Sequence, residues 1–163
     1  MLKTVIGVMG PGEGATGEDS ERAMTLGRLI AKEGWVLLSG GRDQGVMDAV
    51  NRGAKQAGGL TIGILPSDDT ARVSDGVDIA IVTGMGSARN NINVLSSSAV
   101  IACGMGAGTA SEIALALKAR KPVVLLTRDE KGLAFFKSLG EEFIHPASSP
   151  EEAIAICRRL VAE

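Results

Sequence analysis

The stretch Ala102-Cys103-Gly104-Met105-Gly106-Ala107-Gly108-Thr109-Ala110-Ser111-Glu112 follows the apolar residues Ala99-Val100-Ile101 and precedes a helical pattern. Three glycines within five residues allow a tight turn that brings backbone N–H groups close to a ligand. The first turn of a helix adds unpaired N–H groups and the positive end of the helix dipole, both of which favour an anion. The order of strand, glycine-rich turn and helix therefore predicts an anion site at the carboxyl end of a strand.

Short apolar runs alternate with helical patterns on both sides of this stretch, which is typical of a parallel sheet covered by helices on both faces. We predict a single doubly wound, Rossmann-like α/β domain over residues 1–163, with a sheet of about six to seven strands. Expected strands cover residues 4–9, 35–38, 61–65, 78–82, 99–102, 122–126 and 143–144. Expected helices cover residues 19–33, 45–57, 87–97 and 132–138, with further helices after Thr109 and Ser149, and residues 67–76 form a surface loop.

Three capping signals are expected at the starts of these helices. Ser87 is a candidate N-cap. Thr109-Ala110-Ser111-Glu112 has the form of a capping box, in which the glutamate would bond back to the start of its helix. Ser149-Pro150-Glu151-Glu152 combines a cap residue, a proline at the first helical position and a capping-box glutamate.

Composition excludes several classes of function. The net charge of −2 leaves no broad basic surface for nucleic acid or an anionic membrane, and an aromatic content of 2% leaves little for base stacking. No apolar run has the length of a signal peptide or a membrane span. Two cysteines without a pairing pattern suit a reducing, cytoplasmic compartment, and one histidine, His145, without a Cys-x-x-Cys motif predicts that there is no metal site.

Four expected strands end in glycine-rich turns, namely Gly10-Pro11-Gly12, Ser39-Gly40-Gly41-Arg42, Gly84-Met85-Gly86 and Gly104-Met105-Gly106. One such turn is explained by a tight connection between a strand and a helix. Four at the same edge of a sheet indicate a ligand, because structure alone seldom needs so much entropically costly glycine. A phosphate-bearing small molecule is the simplest ligand that fits.

Charged and polar residues beside these turns are candidate ligand contacts. Arg89 lies in the first turn of an expected helix, where a cation opposes the helix dipole, so helix stability does not explain it. Its planar fork suits a phosphate or a carboxylate, and Arg42 and Asn90 have the same interpretation with less weight. Glu112 has two interpretations: it is explained by the capping box, or it is a base or acceptor at the edge of the anion site.

The sequence contains a literal match to one nucleotide-binding motif and lacks another. Gly12-Glu13-Gly14-Ala15-Thr16-Gly17 matches the dinucleotide pattern Gly-x-Gly-x-x-Gly literally, but the second strand ends in Ser39 and not in the acidic residue that binds a ribose. The lysine-containing loop that binds the phosphates of nucleoside triphosphates is absent from the sequence. Neither motif is favoured.

The chain resembles the lysine-decarboxylase-like family, which includes the plant LOG phosphoribohydrolases. Those enzymes carry Pro-Gly-Gly-x-Gly-Thr-x-x-Glu after a strand and an arginine-lysine pair on an earlier helix. Here the Gly-Thr-x-x-Glu end and Arg89 match, whereas Gly104-Met105 replaces the proline and first glycine, and Asn90 replaces the lysine. The fold is therefore expected to carry over better than the hydrolase activity.

A more extensive resemblance is to the molybdenum cofactor carrier proteins. It covers nearly the whole chain and lies in the strings Ile6-Gly7-Val8-Met9-Gly10-Pro11-Gly12, Gly40-Gly41-Arg42 with Gly45-Val46-Met47, Gly84-Met85-Gly86-Ser87-Ala88-Arg89-Asn90-Asn91-Ile92-Asn93, and Gly104-Met105-Gly106-Ala107-Gly108-Thr109 with Glu112. The resemblance implies a cytoplasmic homo-oligomer, a tetramer or a dimer, that binds, protects and transfers molybdenum cofactor without catalysis. The implied partners are molybdoenzymes or proteins of cofactor biosynthesis.

The predicted cofactor-binding residues come from the glycine turns and the helix starts. They are Gly10, Pro11, Gly12, Ser39, Gly40, Gly41, Arg42, Gly86, Ser87, Arg89, Asn90, Gly104, Met105, Gly106, Ala107, Gly108, Thr109 and Glu112. The alternative function is a nucleoside 5′-monophosphate phosphoribohydrolase, with Arg89 on the phosphate and Glu112 catalytic. A third hypothesis is a nucleotide-sensing module that binds without turnover.

Overall fold

A computed structural model describes residues 1–162 and contains seven strands and six helices in that range. The strands are β1 (Val5–Met9), β2 (Val36–Ser39), β3 (Thr61–Leu65), β4 (Ile79–Val82), β5 (Ala99–Cys103), β6 (Val123–Leu126) and β7 (Ile144–Pro146). The helices are α1 (Gly17–Lys32), α2 (Gly45–Gln56), α3 (Arg89–Leu95), α4 (Ala107–Lys118), α5 (Glu130–Gly140) and α6 (Pro150–Val161). The predicted single α/β domain with alternating strands and helices is confirmed.

All seven strands are parallel and follow the order β4-β3-β2-β1-β5-β6-β7. The first strand is central, because Ile6 of β1 is in register with Leu37 of β2 on one side and with Ala99 of β5 on the other. The chain moves outward from β1 to β4 and then returns to place β5 beside β1. This reversal opens a crevice at the carboxyl ends of β1 and β5, which is where such sheets bind ligands.

Two apolar layers cover the sheet. Helices α1, α2 and α6 pack on one face through residues such as Leu26, Val50 and Ile154. Helices α3, α4 and α5 pack on the other face through Val94, Ile113 and Phe136. Because parallel strands are buried on both faces, their sequences are continuous apolar runs and not alternating patterns.

Helices α1 and α2 cross at two glycines. A Cβ atom on Gly27 would stand 2.6 Å from the backbone nitrogen of Ala54, and one on Gly53 would stand 2.9 Å from the carbonyl carbon of Met24. Real Cβ contacts are longer than this, so the two backbones approach as closely as they do only because neither position has a side chain.

Two capping predictions are wrong and one is confirmed with a change. Residues Gly86–Ala88 form a 3₁₀ turn that continues into α3, so Ser87 lies inside a turn and caps nothing. Helix α4 begins at Ala107 with Gly106 as its N-cap, so Thr109 is the third helical residue and forms no capping box with Glu112. Ser149 caps α6 as predicted, although the Glu152 carboxylate accepts from the Ser148 N–H and not from the cap residue.

Residues 67–76 contain no helix or strand of their own, in agreement with the predicted loop. The segment is nevertheless tied to the turn after β2, because the Asp43 N–H donates to the Arg72 carbonyl at 3.0 Å and the Ser74 N–H donates to the Gly41 carbonyl at 2.9 Å.

Across residues 1–162, none of the helices combines the length and the apolar character that a membrane crossing requires.

Candidate functional site

A cleft of about 480 Å³ lies at the carboxyl ends of β1, β2 and β5, at the crevice where the strand order reverses. This volume is within the usual range for a small-molecule site. Its lining consists of Val8, Met9, Gly10, Pro11, Gly12, Gly14, Gly40, Arg42, Met47, Pro66, Gly86, Ser87, Arg89, Asn90, Gly106, Ala107, Gly108, Thr109 and Glu112. Five segments that are far apart in the sequence therefore meet at one place, around residues 8–14, 40–47, 66, 86–90 and 106–112.

Four of the predicted site residues do not line the cleft, because each is engaged elsewhere. The Ser39 hydroxyl bonds to the buried Asn51 side chain, and the Gly41 backbone packs on Gly63. Gly104, with φ +80°, turns the chain against the Asp19 carboxylate. The Met105 side chain lies close to Gly132 of α5, where a Cβ atom would stand 3.3 Å from Met105 Cε. These residues shape the turns that present the lining.

Sequence reasoning missed five lining residues: Val8, Met9, Gly14, Met47 and Pro66. Met47 carried a signal, because it lies in the first turn of α2, soon after the glycine-rich Gly40-Gly41-Arg42 turn. Met9 is the last residue of β1, so its side chain lies at the carboxyl end of the strand, where the cleft begins. Pro66 ends β3, and nothing in its local pattern distinguishes it from an ordinary strand stop.

Arg89 is the first residue of α3 and is 8% exposed. Its guanidinium lies over Gly40, where a Cβ atom would stand 3.0 Å from Nη2 and 3.1 Å from Nη1. Nη1 donates to Asn90 Oδ1 at 2.8 Å, whereas the buried Nε has no hydrogen-bond partner among the described residues. Burial lowers the pKa of Arg89, and Arg42 lowers it further while Glu112 opposes the change. The group remains charged at neutral pH.

Glu112 is buried on the same wall, at 5% exposed. Its Oε1 accepts from Asn93 Nδ2 at 3.0 Å and lies 3.8 Å from Arg89 Nη1. Burial raises the pKa of Glu112 to about 7, against the opposing effects of the Asn93 hydrogen bond and the Arg89 charge. Because the glutamate has no capping role, the interpretation that explained it by helix stability does not hold.

The wall formed by α3 and α4 presents polar groups that the protein itself does not satisfy. No side chain caps α4, so the first turn contributes free N–H groups beside Ala107 and Gly108. Thr109 is 2% exposed, and its Oγ1 has no hydrogen-bond partner among the described residues. Unsatisfied buried polar atoms are rare, and these groups, together with the Arg89 fork, are donors of the kind that bind the oxygen atoms of an anion.

Within residues 1–162, no cluster of three or more His, Cys, Asp and Glu side chains is arranged to hold a metal ion. Cys103 belongs to the apolar layer beneath α1, and burial raises the pKa of its thiol to about 12. The charged groups in the lining of the cleft are two arginines, Arg42 and Arg89, and one buried carboxyl, Glu112. Glycine backbone makes up much of the remaining lining.

Comparison with known proteins assigns this chain to a family. The SLOG cluster4 family model matches residues 3–154. The chain belongs to the SLOG cluster4 family. The match includes all seven strands and every residue of the cleft, so this SLOG cluster4 protein has its site within the part of the chain that defines the family.

Three relatives extend over almost the whole of this SLOG cluster4 chain. The molybdenum cofactor binding protein from the phototrophic bacterium Rippkaea orientalis is 60% identical, with 99% of each chain covered and a TM-score of 0.98. The molybdenum cofactor (Moco) carrier protein from Chlamydomonas reinhardtii is 53% identical, with 99% of each chain covered and a TM-score of 0.93. An uncharacterized protein from Archaeoglobus fulgidus is 44% identical over 155 residues, or 93% of each chain.

In this SLOG cluster4 protein, replacing Thr109 by valine is expected to separate ligand binding from stability. Valine keeps the shape of threonine and removes a buried hydroxyl that has no partner, so thermal unfolding should stay unchanged or shift upward. Affinity for an anionic ligand should fall by about 2- to 10-fold, the effect of one hydrogen bond. The matched control is Thr109→Ser, which keeps the hydroxyl and should bind within about twofold of the wild type; equal affinity of both variants and the wild type would exclude a contact from Thr109.

Proposed function

We propose that this protein binds, protects and transfers molybdenum cofactor in the cleft and catalyses no reaction on it. Two relatives that share 60% and 53% of its residues are a molybdenum cofactor binding protein and a Moco carrier protein. The observation that carries the proposal is that Arg89 Nε and Thr109 Oγ1, two of the three buried side-chain atoms without a hydrogen-bond partner among the described residues, lie beside the uncapped first turn of α4; the third is Asn93 Oδ1. An anionic ligand would supply acceptors to both donor groups.

The residues of the cleft fit this cofactor, which combines a pterin, a terminal phosphate and an oxomolybdenum dithiolene. We assign the phosphate to Arg89, Thr109 and the first turn of α4, because that wall offers the largest group of free donors. The buried Met9 and Met47 side chains give the ring system an apolar, polarisable floor. Arg42 adds a second positive charge to the lining. When bound, the cofactor supplies redox chemistry to the enzymes that receive it.

The predicted residues that lie outside the lining take an indirect role in this proposal. Ser39, Gly41, Gly104 and Met105 hold the glycine turns in position and do not contact the cofactor. Within the lining itself, Gly10 has no room for a side chain, because a Cβ atom there would meet the Cys103 carbonyl oxygen and stand 2.6 Å from a Val46 methyl carbon. A Cβ atom on Gly40 would stand 2.6 Å from Met47 Sδ and 3.0 Å from Arg89 Nη2, so a larger residue would displace those two side chains.

We also propose that the chain works in the cytoplasm as a homo-oligomer, a tetramer or a dimer, and delivers the cofactor to molybdoenzymes. Support for assembly comes from β4, an edge strand whose apolar residues Ile79, Ile81 and Val82 are 46%, 44% and 42% exposed. Leu95, at the end of α3, is 54% exposed. Exposed apolar residues on an unpaired edge favour contact with another copy of the chain. Sedimentation equilibrium would give the number of chains.

The test is anaerobic equilibrium binding of purified protein to molybdenum cofactor, with retained molybdenum and retained pterin measured together. Saturable retention of both at one equivalent per chain, with weak competition by adenosine monophosphate, is the expected result. Failure to retain either component would overturn the proposal. A parallel incubation with adenosine monophosphate tests the phosphoribohydrolase alternative, because appearance of ribose 5-phosphate would indicate that activity.

A further inference from the structure

The Glu112 carboxyl lies near the Arg89 guanidinium, which also donates a hydrogen bond to Asn90. Its Oε1 is 3.8 Å from Arg89 Nη1, which is too far for a strong hydrogen bond, and that same Nη1 donates to Asn90 Oδ1 at 2.8 Å. The remaining partner of the carboxyl is the neutral Asn93 amide. A negative charge on Glu112 is therefore only partly compensated inside the protein.

Few other charged groups act on Glu112. Helix α4 packs against α3, α5, β5 and β6, and of their charged side chains only Arg89 affects the titration of this carboxyl. Glu130, Lys131 and Lys137 of α5 lie outside the cleft, and the thiol of Cys103 in β5 faces the opposite layer. Arg42 is the other cation in the lining and acts on Arg89.

A bound anion would occupy the space next to this carboxyl. Thr109 and Glu112 are three residues apart on α4, so they lie on the same helix face, and both line the cleft with Arg89. An anion held by Arg89 and Thr109 brings its negative charge close to Glu112, in a space lined by almost fully buried side chains, and competes for the same guanidinium. Two neighbouring anions in such a space raise the pKa of the one that can take a proton.

We propose that Glu112 binds a proton when the cleft takes up a dianion, so that ligand loading is coupled to the uptake of one proton. Protonated Glu112 removes the repulsion and can donate a hydrogen bond to the ligand. This role is distinct from glycosidic catalysis, and it rests on the anion site of the proposed carrier function. Glu112 thereby sets the charge of the ligand that the cleft accepts at a given pH.

The linkage between proton binding and anion binding gives the direction in which affinity for the anion changes with pH. Burial raises the pKa of Glu112 to about 7 in the absence of ligand, so the carboxyl already carries its proton below that pH and loading is then independent of pH. Above about pH 7 the free protein is ionised and must gain a proton to bind. The association constant should then fall by up to about tenfold for each unit of pH.

Sulfate is the probe for the test, because it stays a dianion throughout the range from pH 6 to pH 9, whereas a phosphate would itself titrate. Calorimetry in two buffers with different ionisation enthalpies gives both the affinity and the number of protons taken up. The wild type is expected to show a flat affinity near pH 6, a fall of close to tenfold between pH 8 and pH 9, and uptake of about one proton at the higher pH. Glu112→Gln should bind sulfate with no pH dependence and no proton uptake.

The control is Glu151→Gln, which removes an exposed carboxylate from α6 in the opposite layer and should keep the wild-type slope. Carbon-13 NMR of labelled wild-type protein gives a second measurement that needs no variant. The titration midpoint of the Glu112 carboxyl should rise by at least one pH unit in saturating sulfate. An unchanged midpoint, equal pH slopes for wild type and Glu112→Gln, or no binding of sulfate would each overturn the inference.

These outcomes are separable from the fate of the carrier proposal. Retention of molybdenum cofactor together with pH-independent sulfate binding would reject the role of Glu112 and leave the carrier function in place. Proton-linked sulfate binding without retention of the cofactor would reject the carrier function and leave the role of Glu112 in place.

Discussion

Replacement of Arg89 by alanine is expected to weaken retention of molybdenum cofactor by about 10- to 100-fold while the protein stays folded. The substitution removes the fork that lies over Gly40, and hydrogen bonds from a charged group contribute about 1.5–3 kcal/mol each. Equilibrium binding measures the loss, and far-UV circular dichroism checks the fold.

Two further variants show whether the position of Arg89 matters or only its charge. Arg89→Lys keeps the charge without the planar fork and should give an intermediate affinity. Arg128→Ala removes an exposed arginine that pairs with Glu18 outside the cleft, and it should bind like the wild type. Wild-type affinity in a folded Arg89→Ala variant would exclude Arg89 from the ligand site.

Replacement of Gly27 by alanine is expected to lower the free energy of unfolding by about 2–3 kcal/mol, because the new methyl group meets the backbone of α2. Neither helix can move away without disturbing the apolar layer that both form over the sheet. For a chain of this size, the thermal midpoint should fall by roughly 5–10 °C. Differential scanning calorimetry and chemical denaturation give the two quantities independently.

The matched control is Gly17→Ala, in the first turn of the same helix, where a Cβ atom would have no neighbour within 4 Å. Alanine is the better helix former, so this variant should be as stable as the wild type or slightly more stable. If both variants unfold at the wild-type temperature, α1 and α2 do not approach as closely as described.

The sequence was sufficient to predict the class of fold and the end of the sheet at which the cleft lies. Apolar runs such as Val123–Leu126 are continuous because parallel strands are covered on both faces, and this made them recognisable without any contact information. The first residues of the helices were harder to predict. Helix α1 begins at Gly17 and not near residue 19, because Thr16 and Asp19 form a capping box at a place where the glycine-rich turn obscured the helical pattern.

The errors at Ser87 and Thr109 have a common physical cause. A hydroxyl residue near a helix start is consistent both with capping and with lying one turn inside the helix, and the sequence does not say which backbone conformation precedes it. Gly106, with an extended backbone at φ −159°, takes the cap position of α4 and leaves Thr109 free to face the cleft. Met47 reaches the cleft through the packing of α2 on the sheet, and Pro66 reaches it because β3 pairs with β2, and the spacing of residues along the sequence encodes neither contact.

Seven of the nineteen lining residues are glycine, so much of the surface that a ligand meets consists of peptide groups. The shape of that surface is set by the path of the chain, Gly10 has no room for a side chain, and a side chain on Gly40 would displace Met47 and Arg89. A protein engineer who wishes to redirect the cleft to a different small molecule therefore has few positions to vary. Met47, Ser87 and Asn90 offer side chains whose replacement would change the chemistry of the lining, in addition to the Arg89, Thr109 and Glu112 side chains discussed above.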